Sequence, residues 1–430
     1  MLFSLKNINS NNLVYLDIEI DANYQGISPK IVENLNKFKL IKKLKLTCFD
    51  FKKTFYLKLK QLKSLNLWSC KNITFDEDSC SNLEEMDLYD SQIVKSKSLL
   101  NFIELKILKG DKQALYDIIN LKSLKKLKKF RGEAYDFIHL ENELLEEISL
   151  SSNQNYSQEI EQIMINKIIL MKALKEVRMP IEYLFNDNIQ NIKEYNYSVK
   201  ILTIYSKNHD KNNFEKFNIF KHFVELLRLT IFGINKINIK KEIIIKIEEE
   251  QSYSNLEDLY LHLNNFSMNL HIPYEKIKTF TYNEDGKNKV TFKFNKNNYT
   301  FKSLKIYNGS FRSPLYLETI NNIFNNKDKV PNLKTFNIKG TLTDRINEDL
   351  FLNFIKELLE LKNLENIEVI IKIIKINDEV EDDSDDDDIE KGFIKFRNYT
   401  EKELKDLFPN LNYQKYKSIS ISKLDSYIPT

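Results

Sequence analysis

Leu62-Lys63-Ser64-Leu65-Asn66-Leu67 is followed one short period later by Leu83-Glu84-Glu85-Met86-Asp87-Leu88. Both read apolar-x-x-apolar-x-apolar. The pattern recurs as Leu13–Ile18, Leu145–Leu150, Leu256–Leu261, Phe301–Ile306, Leu333–Ile338 and Leu364–Val369, with weaker copies near Ile41, Phe102, Leu127, Leu174, Val199, Val224 and Ile277. The starts lie about 25 residues apart on average, a spacing typical of short stacked repeats. The last two apolar residues of each copy alternate with polar ones. Such a period of two describes a short strand with one buried face. The first apolar residue tucks under the strand as the chain turns inward. No single copy buries its apolar side alone, so the copies must stack and share one core.

Between copies the chain has to return to the start of the next strand. Asp111–Asn120, Gln158–Met171 and Glu348–Leu361 read as helical returns. In the last, apolar residues at 350, 351, 354, 355, 358 and 359 form the stripe of an amphipathic helix. Ile237–Ile247 and Val290–Phe294 read as plain strands outside the pattern. Toward the C-terminus, Ile367–Ile376 and Phe393–Arg397 are β-prone runs, expected to pair as an antiparallel hairpin around residues 378–390. Thr400-Glu401-Lys402-Glu403 matches a capping box, and Pro409 should stop the helix that follows.

These features resemble the leucine-rich repeat family. The clearest stretch, Leu62–Ile73 followed by Thr74, looks like the cysteine-containing subtype, L-x-x-L-x-L-x-x-C-x-x-I-T, with Cys70 in the position more often held by a buried Asn. The resemblance implies an α/β solenoid of about 13–16 strands, whose curved parallel sheet carries helices and loops on its convex side. It places the solenoid at residues 1–377, with an acidic loop and C-terminal capping segment at 378–430. It is specific about fold and unspecific about function. Because the pattern starts near residue 13, the F-box-like segment that often precedes such repeats is not expected here.

Composition narrows the function further. The chain has 430 residues and only 8 Gly and 7 Pro. Nucleotide folds need clustered Gly for close phosphate approach, and no phosphate-loop, dinucleotide, hydrolase-elbow or zinc-protease motif is present. Lys plus Arg is 65 against 62 for Asp plus Glu, and only 6 of the basic residues are Arg. Readers of nucleic acid favour Arg, so the lysine excess reads as compositional bias. Residues 378–390 hold 10 acids and no base, which leaves a body of +13. The solid block of Asp lacks the Gly and the alternation of a calcium loop and reads as a solvated, self-repelling segment. Three Cys without a C-x-x-C pair imply a reducing, cytoplasmic setting with free thiols. Neither a signal peptide nor a membrane span is read.

The five His are scattered, with no ligand spacing, so neither a metal nor a cofactor is expected, and the chain reads as non-enzymatic. In a leucine-rich solenoid the non-core residues of each strand line the concave sheet. By register these include Trp68, Tyr89, Tyr260, His262 and Tyr307, aromatic or amphipathic side chains suited to anchoring a partner. Trp68 and Tyr89 are one repeat apart and should stand side by side. The expected partner is another protein. The alternatives are an electrostatic binder of nucleic acid or another acidic partner, modulated by the acidic loop, and an adaptor subunit of a ligase complex.

Overall fold

The computed structural model describes residues 13–19, 35–76, 81–95, 98–110, 115–151, 156–180, 183, 194–205, 222–234, 255–263, 268–272, 277–284, 290–294, 302–308, 332–342, 348–375 and 394–427. The chain divides into two compact units, residues 1–199 and 200–430.

The first unit contains, in order, β1 (Tyr15–Glu19), β2 (Lys43–Thr47), β3 (Asp50–Leu57), β4 (Ser64–Trp68), β5 (Lys71–Phe75), β6 (Glu85–Leu88), β7 (Ile107–Gly110) and β8 (Lys129–Glu133). Then come α1 (Ala134–His139), β9 (Glu147–Ser151), α2 (Gln158–Leu170) and β10 (Glu176–Pro180). β1, β2, β4, β6, β7, β8, β9 and β10 pair successively, every pair parallel. β3 and β5 form a separate short parallel ladder in the return segments of their repeats.

Alternation drives this arrangement. In β2 and β4 the apolar residues Leu44, Leu46, Leu65 and Leu67 are buried while Lys43, Lys45, Ser64 and Asn66 face outward. The residues that open each copy, Ile41, Leu62, Leu83, Leu127, Leu145 and Leu174, are buried as well. Just before each strand, one carbonyl accepts two successive N–H groups of the next repeat. The Lys42 oxygen receives Lys63 N at 2.8 Å and Ser64 N at 2.9 Å, and the Lys63 oxygen receives Glu84 N and Glu85 N at 2.8 and 2.9 Å. This contact repeats through Glu84, Lys106, Lys128 and Glu146, and it locks neighbouring repeats in register. Gly132 answers a close approach. A Cβ there would lie 2.7 Å from a Phe130 ring atom and 3.2 Å from the Gly110 carbonyl.

The second unit contains β11 (Ile201–Tyr205), β12 (Arg228–Ile234), β13 (Asp258–Leu263), β14 (Met268–Ile272), β15 (Thr279–Glu284), β16 (Val290–Phe294), β17 (Ser303–Asn308) and β18 (Thr335–Leu342). α3 (Glu348–Glu360), β19 (Asn366–Lys375), β20 (Ile394–Tyr399), α4 (Glu401–Leu407) and β21 (Ser418–Tyr427) follow. β11, β12, β13, β15, β17, β18, β19 and β21 pair successively in parallel. β14 and β16 form a separate parallel pair, which gives the run at Val290–Phe294 its place. α3 buries Phe351, Phe354, Ile355, Leu358 and Leu359, the stripe read from the sequence. The Thr400 capping box is formed in both directions. Glu403 N donates to Thr400 Oγ1 at 3.2 Å, and Thr400 N donates to Glu403 Oε2 at 2.7 Å.

The fold is therefore α/β and dominated by parallel strands in repeated units. Three details differ from the sequence reading. The copy near Phe102 opens at Leu105, and the one near Val224 opens at Leu226; both residues are fully buried and precede β7 and β12 by the usual interval. The expected hairpin of β19 with β20 does not form. β19 carries β18 on one edge and β21 on the other, so β20 pairs antiparallel with β21 instead. β21 is itself a further copy, with Tyr416 opening it and Ile421 buried, and Glu365 O accepts Lys417 N in the same way as Lys42 O accepts Lys63 N. Of the return at 111–120, a short 3₁₀ turn at Leu115–Asp117 is described. The strand read at Ile237–Ile247 and the acidic run at 378–390 lie outside the described residues.

Candidate binding face

Trp68 closes β4 and Tyr89 follows β6 directly, each at the end of its strand. The residue after each enters the left-handed region: Cys48 (φ 61°), Ser69 (φ 52°) and Asp90 (φ 52°) mark the same turn in three consecutive repeats. A non-Gly residue held there costs about 1–2 kcal/mol. The turns are stitched together across repeats. Cys48 N donates to Trp68 O at 2.7 Å, and Ser69 N to Tyr89 O at 2.9 Å.

Beneath them runs a buried polar ladder. Cys70 Sγ donates toward Leu46 O at 3.3 Å and Trp68 O at 3.4 Å. One repeat on, Ser91 Oγ does the same toward Leu67 O at 3.0 Å and Tyr89 O at 3.1 Å, while accepting Cys70 N at 2.9 Å. Cys70 thus has the structural position that the sequence assigns it. Burial pushes its thiol up to about 11, far from the thiolate form at neutral pH.

With their backbones anchored, Trp68 and Tyr89 lie edge to face, ring centroids 5.2 Å apart and planes at 82°. Both rings remain nearly half exposed, at 44% and 45%. Tyr260 stands half-buried in β13 between Thr230 and Thr281 of the neighbouring strands, and it belongs to the other unit. His262 and Tyr307 have their backbones on β13 and β17; their side chains lie outside the described residues. The structure therefore brings together Trp68 and Tyr89 among the five predicted anchors.

Charges on the first unit pair across repeats. Lys63 and Lys106 both reach Glu84 at 2.6 Å, and Lys128 and Lys175 reach Glu146 at 2.9 and 2.7 Å. Hydrogen bonds from these lysines hold Glu84 and Glu146 at about 2, well below the usual carboxylate range. One row inward, Lys45 pairs with Asp17 and Lys109 with Asp87, each at 3.1 Å. The described lysines of this face thus alternate with acids.

Sequence reasoning overlooks a group of buried polar residues at the ends of β8 and β9. Glu133 accepts hydrogen bonds from Ser151 Oγ at 3.0 Å and Tyr156 OH at 2.9 Å. Burial, then the charge of Glu133, raises the Tyr156 phenol. Asp136 is fully buried; its Oδ1 accepts Tyr116 N at 2.9 Å, and burial raises its carboxyl to about 6. Lys167 is held by the carbonyls of Phe137, Ile138 and Leu140, and burial lowers its ammonium to about 8. Tyr116, Tyr135 and His139 form a ring cluster, with Tyr116 and His139 each 4.8 or 5.9 Å from a neighbour. Ser91 could have been found by adding one repeat to Cys70, and Tyr135 with His139 by the i, i+4 spacing. The buried carboxylates give no such signal. Among the described residues no group of three or more His, Cys, Asp or Glu is placed to hold a metal ion. No helix of the described residues is long and apolar enough to cross a membrane.

No protein-family model matches the chain, and a search of curated proteins finds no match.

Proposed function

We propose that this chain is a leucine-rich repeat protein that binds another protein through the concave sheet face of its first unit. The apolar-x-x-apolar-x-apolar copies, the parallel ladders and the repeated two-donor contact before each strand support the repeat assignment. The observation that carries the binding reading is the Trp68–Tyr89 pair. Two large rings with polar edges are held rigidly at strand ends and left nearly half exposed, although the same chain buries its other repeat-end residues, Cys70 and Ser91, close by. Aromatic anchors of this kind dominate protein interfaces because they add contact area at small entropic cost.

On this reading the chain performs no chemistry of its own and requires no cofactor. The alternation of lysines with acids favours a protein partner over nucleic acid, because a polyanion needs uncompensated cations. The free Cys48 and the buried Cys70 fit a reducing, cytoplasmic setting. The test is affinity capture with the full chain and with the W68A/Y89A double variant, each checked by thermal unfolding. The reading expects a captured protein whose affinity drops by about 2 kcal/mol or more, roughly 30-fold, in a variant that melts as the parent does. Unchanged capture combined with a lowered melting temperature would return both rings to a packing role.

A further inference from the structure

Two repeats break the alternation of lysines with acids. Residues 35–75 hold 11 Lys and one acid, Asp50. The chain carries 62 acids in 430 residues, so a stretch of this length would average about six. A compositional bias toward Lys does not empty a segment of acids. We infer that the edge where β2 and β4 begin, centred on Lys39, Lys42 and Lys43, takes a short block of carboxylates from a partner polypeptide; this rests on the reading of the chain as a protein binder and is independent of the Trp68–Tyr89 rings.

Seven of the 11 lysines lie at that edge. A step of 21 residues relates Lys37 to Lys58, Lys39 to Lys60 and Lys42 to Lys63. Lys43 pairs in register with Ser64, and Lys42 O accepts Lys63 N at 2.8 Å, so Lys42 and Lys63 stand one strand spacing apart, about 5 Å. Phe38 and Ile41 are buried next to Lys39 and Lys42, and Leu59 and Leu62 in the following repeat, so the backbone is held while the lysines are exposed. The other four lie elsewhere. Lys45 is bound to Asp17, Lys52 and Lys53 are on β3, and Lys71 opens β5 in register with Asp50.

The same unit contains its own control. Lys128-Lys129 has the phase on β8 that Lys42-Lys43 has on β2. There the next strand answers with Glu146-Glu147, at 2.9 and 2.6 Å, and Lys175-Glu176 follows, so three lysines meet three acids. Across β2, β4, β6 and β7 these two positions read Lys42-Lys43, Lys63-Ser64, Glu84-Glu85 and Lys106-Ile107, so four lysines meet two acids. Glu84 is taken by Lys63 and Lys106; Glu85 accepts from Ser64 Oγ at 3.2 Å and lies two strands from Lys43, about 10 Å. On the other side β1 brings Val14 and Tyr15, and its Asp17 already accepts Lys45 Nζ and Tyr15 OH, each at 3.1 Å. Lys39, Lys42 and Lys43 have no ion pair among the described residues. What β2 lacks is the pair of carboxylates that β9 supplies to β8, and an acidic segment of a partner completes the pattern. The patch is also short. Glu84 closes it beyond Lys63, and Asp76, whose N–H donates to Leu57 O at 3.1 Å, closes it beside Lys58. A nucleic-acid backbone needs a longer uninterrupted run of cations, and no Arg precedes Arg131 in the chain. A few carboxylates on a polypeptide fit a surface two repeats wide.

The full chain is titrated against rhodamine-labelled (Gly-Glu-Glu)3-amide, its Gln counterpart and a short oligothymidylate, with binding read by fluorescence anisotropy and each variant checked by thermal unfolding. The Glu peptide should bind saturably and the Gln peptide should not. Affinity for the Glu peptide should fall about tenfold in K42Q/K43Q, change less than about twofold in K128Q/K129Q, persist in K42R/K43R, and fade as salt rises. No binding, equal binding of the two peptides, or equal losses in K42Q/K43Q and K128Q/K129Q would overturn the inference, the last by showing diffuse attraction to the whole face. An oligothymidylate that binds more tightly than the peptide, with the same dependence on Lys42 and Lys43, would overturn the choice of a polypeptide. If the peptide test fails while W68A/Y89A still loses a captured protein, the binding reading stands and the acidic partner falls. If the peptide binds as expected while capture survives W68A/Y89A, the lysine edge stands and the rings return to packing.

Discussion

Row for row, the sheet of the first unit shows charged side chains to water, while that of the second shows mostly hydroxyls and amides. The middle outward row of the first unit reads Asp17, Lys45, Asn66, Asp87, Lys109, Arg131, Ser149, Arg178 in strand register. The same row of the second reads Thr203, Thr230, Tyr260, Thr281, Lys305, Asn337, Glu368, Ser420. Beneath both rows the buried positions are interchangeable: Leu44, Leu65, Met86 and Leu108 in one, Leu202, Leu229, Leu259 and Phe280 in the other. The inward row is set by the need to fill a shared core. The outward row is under no such demand, and there the two units differ. The second face is not wholly solvated: Thr281 is buried, and Ser303 Oγ, shielded from solvent, finds no hydrogen-bond partner among the described residues.

The comparison breaks most readily at the core. Leu174→Ala in the first unit and Leu256→Ala in the second, both fully buried, should each cost about 2–5 kcal/mol in urea unfolding, because removing a packed Leu loses transfer energy and leaves a cavity. Similar costs would support one packing rule for both units; a cost below about 1 kcal/mol in either would end the equivalence of the rows.

Return segments are stapled by amides and by lysines; the first unit uses both, with Lys167 on the carbonyls of Phe137 and Ile138, and the second uses Lys415. Asn142 Nδ2 donates to Leu124 O and Leu127 O, each at 2.7 Å, and its Oδ1 accepts Leu144 N at 2.7 Å. Lys415 Nζ donates to Leu359 O at 3.1 Å and Leu361 O at 2.8 Å. Asn142→Ala strands buried carbonyls and should cost about 2–3 kcal/mol. Lys415→Ala should cost less, since its side chain is half-buried and water can replace it. The reverse order in denaturation would contradict this account.

A pH experiment sharpens the contrast further. Burial raises the Asp136 carboxyl from its ordinary range to about 6. The folded state therefore binds a proton that the unfolded chain has already released. Stability is greatest at acid pH as far as this group is concerned, and it is lost as pH rises from about 4 through 6. Between pH 5 and 7.5 the loss should be about 1.4 kcal/mol, and Asp136→Asn should remove that slope. A parallel pH profile in the variant would show that Asp136 titrates normally.

The smallest expected effect is on the ion pairs. Glu146 is bound by Lys128 and Lys175 at the surface, where screening is strong. Glu146→Gln should lower the melting temperature slightly in dilute buffer and not at all in 1 M salt, where the Debye length is about 3 Å. Thr230→Ser on the second face should be indifferent to salt. A salt-independent loss at Glu146 would mean that its role is packing.

How much of this was legible beforehand follows the range of each interaction. Trp68 and Tyr89 could be placed side by side from spacing alone, because both sit at one phase of a repeat. The copies at Phe102 and Val224 were misread by two or three residues, because apolar residues of the returns, Phe102 itself among them, imitate the first position of the pattern; Phe102 is buried against Phe75 at 5.6 Å. Nothing in the sequence around Asp136 and Glu133 announces their burial.

The sequence by itself determined the short parallel strand, its buried alternate residues, the amphipathic stripe of α3 and the Thr400 cap. All of these depend on residues within about one helical turn or one strand of each other. Tertiary structure alone decided which edge β21 takes, which lysine meets which glutamate, and how far Asp136 is withdrawn from water. Each is a contest between segments tens of residues apart. β20 follows β19 in the chain and would have made the shorter hairpin. β21 takes that edge instead because its copy of the repeat matches the β19 register across ten residues, Asn366 with Ser418 through Lys375 with Tyr427, and the added pairing outweighs the slowly growing entropic cost of the longer loop.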